Sequence, residues 1–164
     1  MASTDRSYVP LTEDDLKELK KYGIKEHEEF FKRNPHLKNA YGDSLIGICL
    51  SQGAASHYLN PKVGIKDFDI WHFYMDKGSS NFPYRSRKTV ENCYKGKPID
   101  FLKRAIPKYV CDSYLNDPEQ IILRYLLGRN TKTKNLLLEK AVIGPYPDKI
   151  FGKVLWKGRL CMHA

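Results

Sequence analysis

The chain has 164 residues, 41% of them apolar and 29% charged, a balance that fits one folded domain with a sizeable core and excludes a disordered or fibrous chain. No apolar run approaches the ~20 residues that span a bilayer, and residues 1–6 lack the basic-then-apolar layout of a secretion signal, so a cytoplasmic protein with no membrane partner is expected. With 28 basic and 19 acidic side chains the formal net charge is +9, which favours a polyanionic partner such as a nucleotide, RNA or DNA.

Thr12 followed by Asp15 has the spacing of a capping box, and the acids Glu13, Asp14 and Asp15 suit the positive end of a helix. A helical segment over residues 12–34 follows, with Leu16, Leu19 and Tyr22 on one stripe, an interruption at Gly23, and a stop at Asn34-Pro35. His27 on this stripe reads as a core or boundary histidine. The apolar run from Leu45 to Leu50 predicts a buried strand. After it, Ser51-Gln52-Gly53-Ala54-Ala55-Ser56 places small residues at a strand-to-helix corner, where backbone amides can approach a phosphate. Asn60-Pro61 ends that short helix.

Gly64 to Tyr74 is rich in β-branched and aromatic residues and predicts a strand in the middle of a sheet, yet Asp67 and Asp69 sit inside it. Alternation along a strand puts both acids on one face with Trp71 and Phe73, and Phe68 and Ile70 on the other. Two carboxylates about 5 Å apart repel by roughly 3 kcal/mol at an effective dielectric near 20, so the pair calls for a cation. His57 and His72 read as local structure. A turn cluster at residues 76–81 precedes the basic stretch Tyr84-Arg85-Ser86-Arg87-Lys88. A further strand is predicted through Ile99-Asp100-Phe101-Leu102, again interrupted by an acid. Asp117-Pro118 starts a helix that runs to Gly128, and Thr131 or Thr133 starts another that Gly144-Pro145-Tyr146-Pro147 breaks. Residues 150–156 read as a short final helix, so the segment 117–160 is expected to be helical. Four cysteines without any Cys-x-x-Cys pair read as reduced thiols.

Strand, glycine corner, short helix, strand with Asp-x-Asp, then a strand with one more acid is an order that resembles the nucleotidyltransferase fold of the polymerase-beta superfamily. That family's signature is an apolar residue, Gly, then Gly or Ser, a gap of roughly nine to thirteen residues, and Asp-apolar-Asp/Glu-apolar. Here Gly53-Ala54 is followed by the twelve residues Ala55 to Lys66 and then by Asp67-Phe68-Asp69-Ile70, with Asp100 in the position of the third acid. Ala54 and Gln52 depart from the pattern, and Ser51 and Ser56 are near enough in sequence to supply a hydroxyl. The resemblance covers residues 44–106 and implies a single α+β (α/β) domain, a small mixed sheet flanked by N-terminal and C-terminal helices. It also implies Asp67, Asp69 and Asp100 as catalytic, metal-binding residues for Mg²⁺ or Mn²⁺. Ser51, Gly53, Ala54, Ser56, Arg85 and Arg87 would hold the phosphates of a nucleoside triphosphate such as ATP. The acceptor would be a small molecule, a protein or RNA, and a partner chain could complete the pocket. Two other readings stay open from the residues: a nucleotide- or RNA-binding module without turnover, and a metal-dependent nuclease.

Overall fold

The computed structural model describes residues 6–76, 87–115, 117–128 and 137–158. The candidate phosphate ligand Arg85 and the helix start at Thr131 or Thr133 lie outside them. Among the described residues, five helices and a six-stranded sheet form an α+β unit, and no helix is long and apolar enough to cross a membrane.

The capping box forms as the spacing predicts: Thr12 Oγ1 accepts from the Asp15 amide, and Asp15 accepts from the Thr12 amide at 2.7 Å. It opens α1, Glu13–Arg33, which runs unbroken through Gly23. The glycine is an approach point and not a break. A Cβ there would meet Ile48 Cγ2 at 2.9 Å, so the helix lies close on β1, Leu45–Ser51. Pro35 does not merely stop α1; it occupies the first turn of α2, Pro35–Tyr41.

The strand carrying the aspartates, β2, is Phe68–Asp76, shorter at its start than the expected Gly64–Tyr74. Ile65 instead bridges Ser7 near the N-terminus, and Asp67 stands just ahead of the strand. The acidic row is therefore at a strand end, where charge can reach solvent. Between β1 and β2 lies α3, Gln52–Leu59. Past β2, the sheet gains β3, Lys88–Tyr94, which the sequence reading did not anticipate, and β4, Lys97–Pro107. Lys95 and Gly96, with φ of 51° and 71°, make the tight turn of this hairpin. The short α4, Lys108–Ser113, was also unanticipated; α5, Pro118–Leu127, starts at its Asp117 cap as expected.

The C-terminal expectation of helices over 117–160 is corrected. After a helical turn at 137–139 come β5, Val142–Tyr146, and β6, Val154–Trp156. Gly144, Pro145 and Tyr146 lie inside β5 and do not break a helix. Val142 and Ile143 gain more by pairing with β1 than a three-turn helix could offer, because both are then fully buried.

The sheet order is β3-β4-β2-β1-β5-β6, antiparallel throughout except for the parallel pair β2 and β4. One face packs on α1 and α3 through Leu16, Leu19, Ile48, Ile70, Phe68 and Ala55. The other packs on α4, α5 and the 137–138 turn through Trp71, Phe73, Ile122, Leu137 and Val142. The three histidines expected to be structural bond across the fold and not within their own segments: His27 to Tyr74, His57 to the Val9 carbonyl and His72 to the Gly23 carbonyl. Cys49, Cys93 and Cys111 carry free thiols.

Candidate active site

Four strands bring polar residues into one row. Ser51 on β1 is in register with Asp69 on β2, Asp69 with Asp100 on β4, and Asp100 with Thr89 on β3. Residues in register on neighbouring strands share a face and lie about 5 Å apart. Asp67 adds a third carboxylate two residues ahead of Asp69. The row crosses the sheet where β1 turns into α3, a turn that forces Gln52 to a left-handed φ of 59°. Such a conformation is strained by roughly 1–3 kcal/mol for a residue with a side chain and is common at functional sites.

The electrostatics follow from this crowding. Burial first, and then the charges of Asp67 and Asp100, push the Asp69 carboxyl up to about 7 against the pull of Arg87 and Lys140. Burial, with help from Asp100, also raises Asp67, again opposed by Arg87, Lys140 and Lys66. Without a cation, one acid of the row therefore tends to keep its proton near neutral pH.

Asp100 stands in that row as the sequence reading expected, and it is not idle. Its Oδ2 accepts from Arg87 Nη2 at 2.9 Å, and its Oδ1 accepts a short hydrogen bond from Thr89 Oγ1. Arg87, assigned from sequence to phosphate, thus rests on a carboxylate, although its side chain is 61% exposed and free to leave.

The corner residues divide into two kinds. Ser51 is fully buried, caps α3 without a side-chain hydrogen bond, and leaves its hydroxyl unpartnered among the described residues. Gly53 is open in front: among the described residues beyond its own helix, an added Cβ would meet the Lys140 ammonium alone, at 3.9 Å. Ala54 and Ser56 do not present side chains to the site. The Ala54 methyl is buried in the α1-side core, which leaves only its amide, and the Ser56 hydroxyl accepts from the Ala141 amide at 3.4 Å. Trp71 and Phe73 share the face of Asp69 as expected but are core, only 4% and 0% exposed, so neither offers a ring for base stacking. Lys140 was missed, because nothing in the sequence sets it apart from the other basic residues of a stretch that reads as helix. The register of β5 on β1 is what carries it to the corner.

The donor chemistry fits a hard divalent cation. Among the described residues no group of three or more acidic, histidine or cysteine side chains is placed to hold a metal ion, so Asp100 does not join Asp67 and Asp69 in the expected three-acid metal set. Mg²⁺ does not require one, since it is commonly held by one or two carboxylates, with waters and substrate phosphates filling the remaining positions. Asp67 and Asp69 would supply the carboxylates, and the crowding that raises both of their carboxyls is what a cation there would relieve. No protein-family profile, curated protein or solved structure matches the chain.

Proposed function

We propose that this protein is a Mg²⁺-dependent nucleotidyltransferase, moving a nucleoside monophosphate from a nucleoside triphosphate to a hydroxyl acceptor. The observation that carries the reading is the register of Asp69 with Asp100 on one side and Ser51 on the other, which sets carboxylates beside a helix N-terminus. Asp67 and Asp69 would hold the cation, which neutralises phosphate oxygens and favours departure of pyrophosphate. The Gly53 and Ala54 amides in the first turn of α3 would bind the outer phosphates, the Gln52 amide being taken by the Ala141 carbonyl. An acceptor hydroxyl attacks the α-phosphorus; its oxygen–phosphorus bond forms as the bond to the β-phosphate oxygen breaks. Asp100 takes the hydroxyl proton once Arg87 moves from it to the phosphates.

Incubation with labelled nucleoside triphosphates, Mg²⁺ and candidate acceptors tests this. Pyrophosphate release that disappears in Asp67→Ala supports it. The engagement of both Asp100 oxygens favours a second reading, a nucleotide-binding module without turnover, for which binding would persist with no pyrophosphate formed. Degradation of a nucleic acid without added triphosphate would instead indicate a nuclease.

Gly53→Ala separates binding from folding. In a helix, Ala is better than Gly by up to about 1 kcal/mol, and among the described residues beyond its own helix the new methyl meets no carbon within 4 Å. Melting temperature should hold or rise, while nucleotide affinity measured by titration calorimetry falls at least tenfold. Equal affinity in the two proteins would remove the α3 corner from the binding site.

A further inference from the structure

We infer that Lys140 is the cation of a polyphosphate subsite over Gly53, gripping phosphate oxygens together with the first turn of α3; this rests on the nucleotide reading above and adds a residue to it. The glycine is the first observation. Gly53 is the second residue of α3 and does not adopt a positive φ, so its backbone does not need glycine. Packing against the other described elements does not need it either, because among the described residues the one atom beyond its own helix and chain neighbours within 4 Å of a Cβ there is Lys140 Nζ. A glycine that costs helix stability and meets no described group but one lysine ammonium is accounted for by something outside the chain that must approach the backbone closely.

The second observation is Ser51. It is wholly buried at the cap of this same helix, yet its hydroxyl neither caps the helix nor bonds any other described group. A buried hydroxyl without a partner costs free energy that a ligand oxygen at the corner would recover.

The third is how firmly the Lys140 backbone is held while its side chain stays exposed. Trp156 Nε1 donates to the Leu138 carbonyl at 2.7 Å, the Gln52 amide donates to the Ala141 carbonyl at 3.2 Å, and the Ala141 amide donates to Ser56 Oγ at 3.4 Å. Gly158, with φ of 92°, lies so close that a Cβ on it would meet the Lys140 carbonyl carbon at 2.9 Å. The clamp joins β6 and α3 around residues 138–141 and aims one ammonium at one helix end. That ammonium interacts electrostatically with Asp67 and Asp69 but comes within salt-bridge distance of neither, since no such pair occurs among the described residues. It lies over Gly53 and near enough to Asp67 and Asp69 to interact with both, so a phosphate chain reaching from a carboxylate-held cation to the first turn of α3 would come within its reach.

Calorimetric titration of the full chain with tripolyphosphate and with ATP, each with Mg²⁺, tests the assignment. Lys140→Met should weaken both ligands at least tenfold, Lys140→Arg should stay within about threefold of the parent, and Lys66→Met, which removes another positive charge near Asp67, should change affinity less than threefold. Circular dichroism melting checks that the variants remain folded. Lys140→Met binding like the parent, or no worse than Lys66→Met, overturns the inference and leaves the transferase reading standing if pyrophosphate is still released. Lys140-dependent binding of tripolyphosphate without any turnover supports the subsite and counts against the transferase. Absence of binding by the parent to either ligand at millimolar concentration overturns both.

Discussion

Asp69→Asn should lower Mg²⁺-dependent pyrophosphate release by roughly a thousandfold or more while leaving the metal-free protein as stable as the parent, or more stable, at pH 8. Both effects have one origin. Asp69 stands between Asp67 and Asp100 in a half-buried row, and its carboxyl is pushed up to about 7. An acid whose pKa is raised by folding stabilises the fold relative to its ionised form only while protonated. Its favourable state is fully present below the unfolded value near 4 and is lost as pH rises through about 7. At pH 8 the parent therefore bears the full cost of the ionised row, several kcal/mol, and an uncharged amide of the same shape does not. Mg²⁺ should reverse the order, stabilising the parent at pH 8 by mass action and the variant far less. Chemical denaturation at pH 5 and pH 8, with Mg²⁺ and with chelator, gives four midpoints. If the metal-free parent gains stability from pH 5 to pH 8, Asp69 is not the strained acid described here.

The largest loss of stability should come from the opposite face of the sheet, at the pair Glu26 and Lys103. Lys103 on β4 has no exposed side-chain surface, and its Nζ lies 2.6 Å from Glu26 Oε2 and 4.5 Å from the centre of the Phe30 ring. Glu26 also receives Arg33 at 2.9 Å and Lys88 at 3.4 Å. Burial alone would raise the Glu26 carboxyl, but the hydrogen bonds and charges of Lys103 and Arg33 outweigh it and hold the group below its usual range. Glu26→Leu leaves a buried ammonium without its anion and should cost about 3–5 kcal/mol in urea denaturation. Lys103→Met should cost less, because Arg33 and Lys88 still meet the carboxylate. The double variant should regain much of the loss, since an apolar pair of similar volume avoids desolvating two charges. A Glu26→Leu cost below about 1 kcal/mol would mean that water reaches Lys103. The pH dependence of Glu26 has the sign opposite to that of Asp69: its contribution is present above the unfolded value near 4.5 and is lost as pH falls. Together the two groups place the stability maximum of the metal-free protein at about pH 4–4.5, between their two unfolded values, and Mg²⁺ should move it toward neutral pH.

Much of this arrangement was legible in the residues because it depends on short-range chemistry. The capping box at Thr12 and Asp15, the buried strand before Ser51, the corner helix and the Asp117 start of α5 each follow from neighbours a few positions apart. The acids were legible for a different reason: a carboxylate in an apolar run is costly wherever the strand lies. Asp67, Asp69 and Asp100 could therefore be named, and the resemblance implied that they meet near Ser51 and Gly53, but the strand register that brings them together could not be read. That Asp100 meets Asp69, and that Ser51 flanks it, depends on a parallel pairing of β2 with β4 and an antiparallel one with β1.

Local pattern alone determined the α+β character, the site's acids and its glycine corner. Tertiary structure decided the rest, by competition that no local window contains. Gly23 reads as a helix break until Ile48 fills the space in front of it. Residues 142–146 read as a broken helix until β1 offers an unpaired edge on which their apolar side chains are buried. Lys140 is one lysine among many until that same edge brings it to Gly53, and Arg87 is a basic loop residue until Asp100 holds it. In each case the deciding partner lies more than ten residues away, and the free energy of burying or pairing with it exceeds the small propensities that sequence neighbours express.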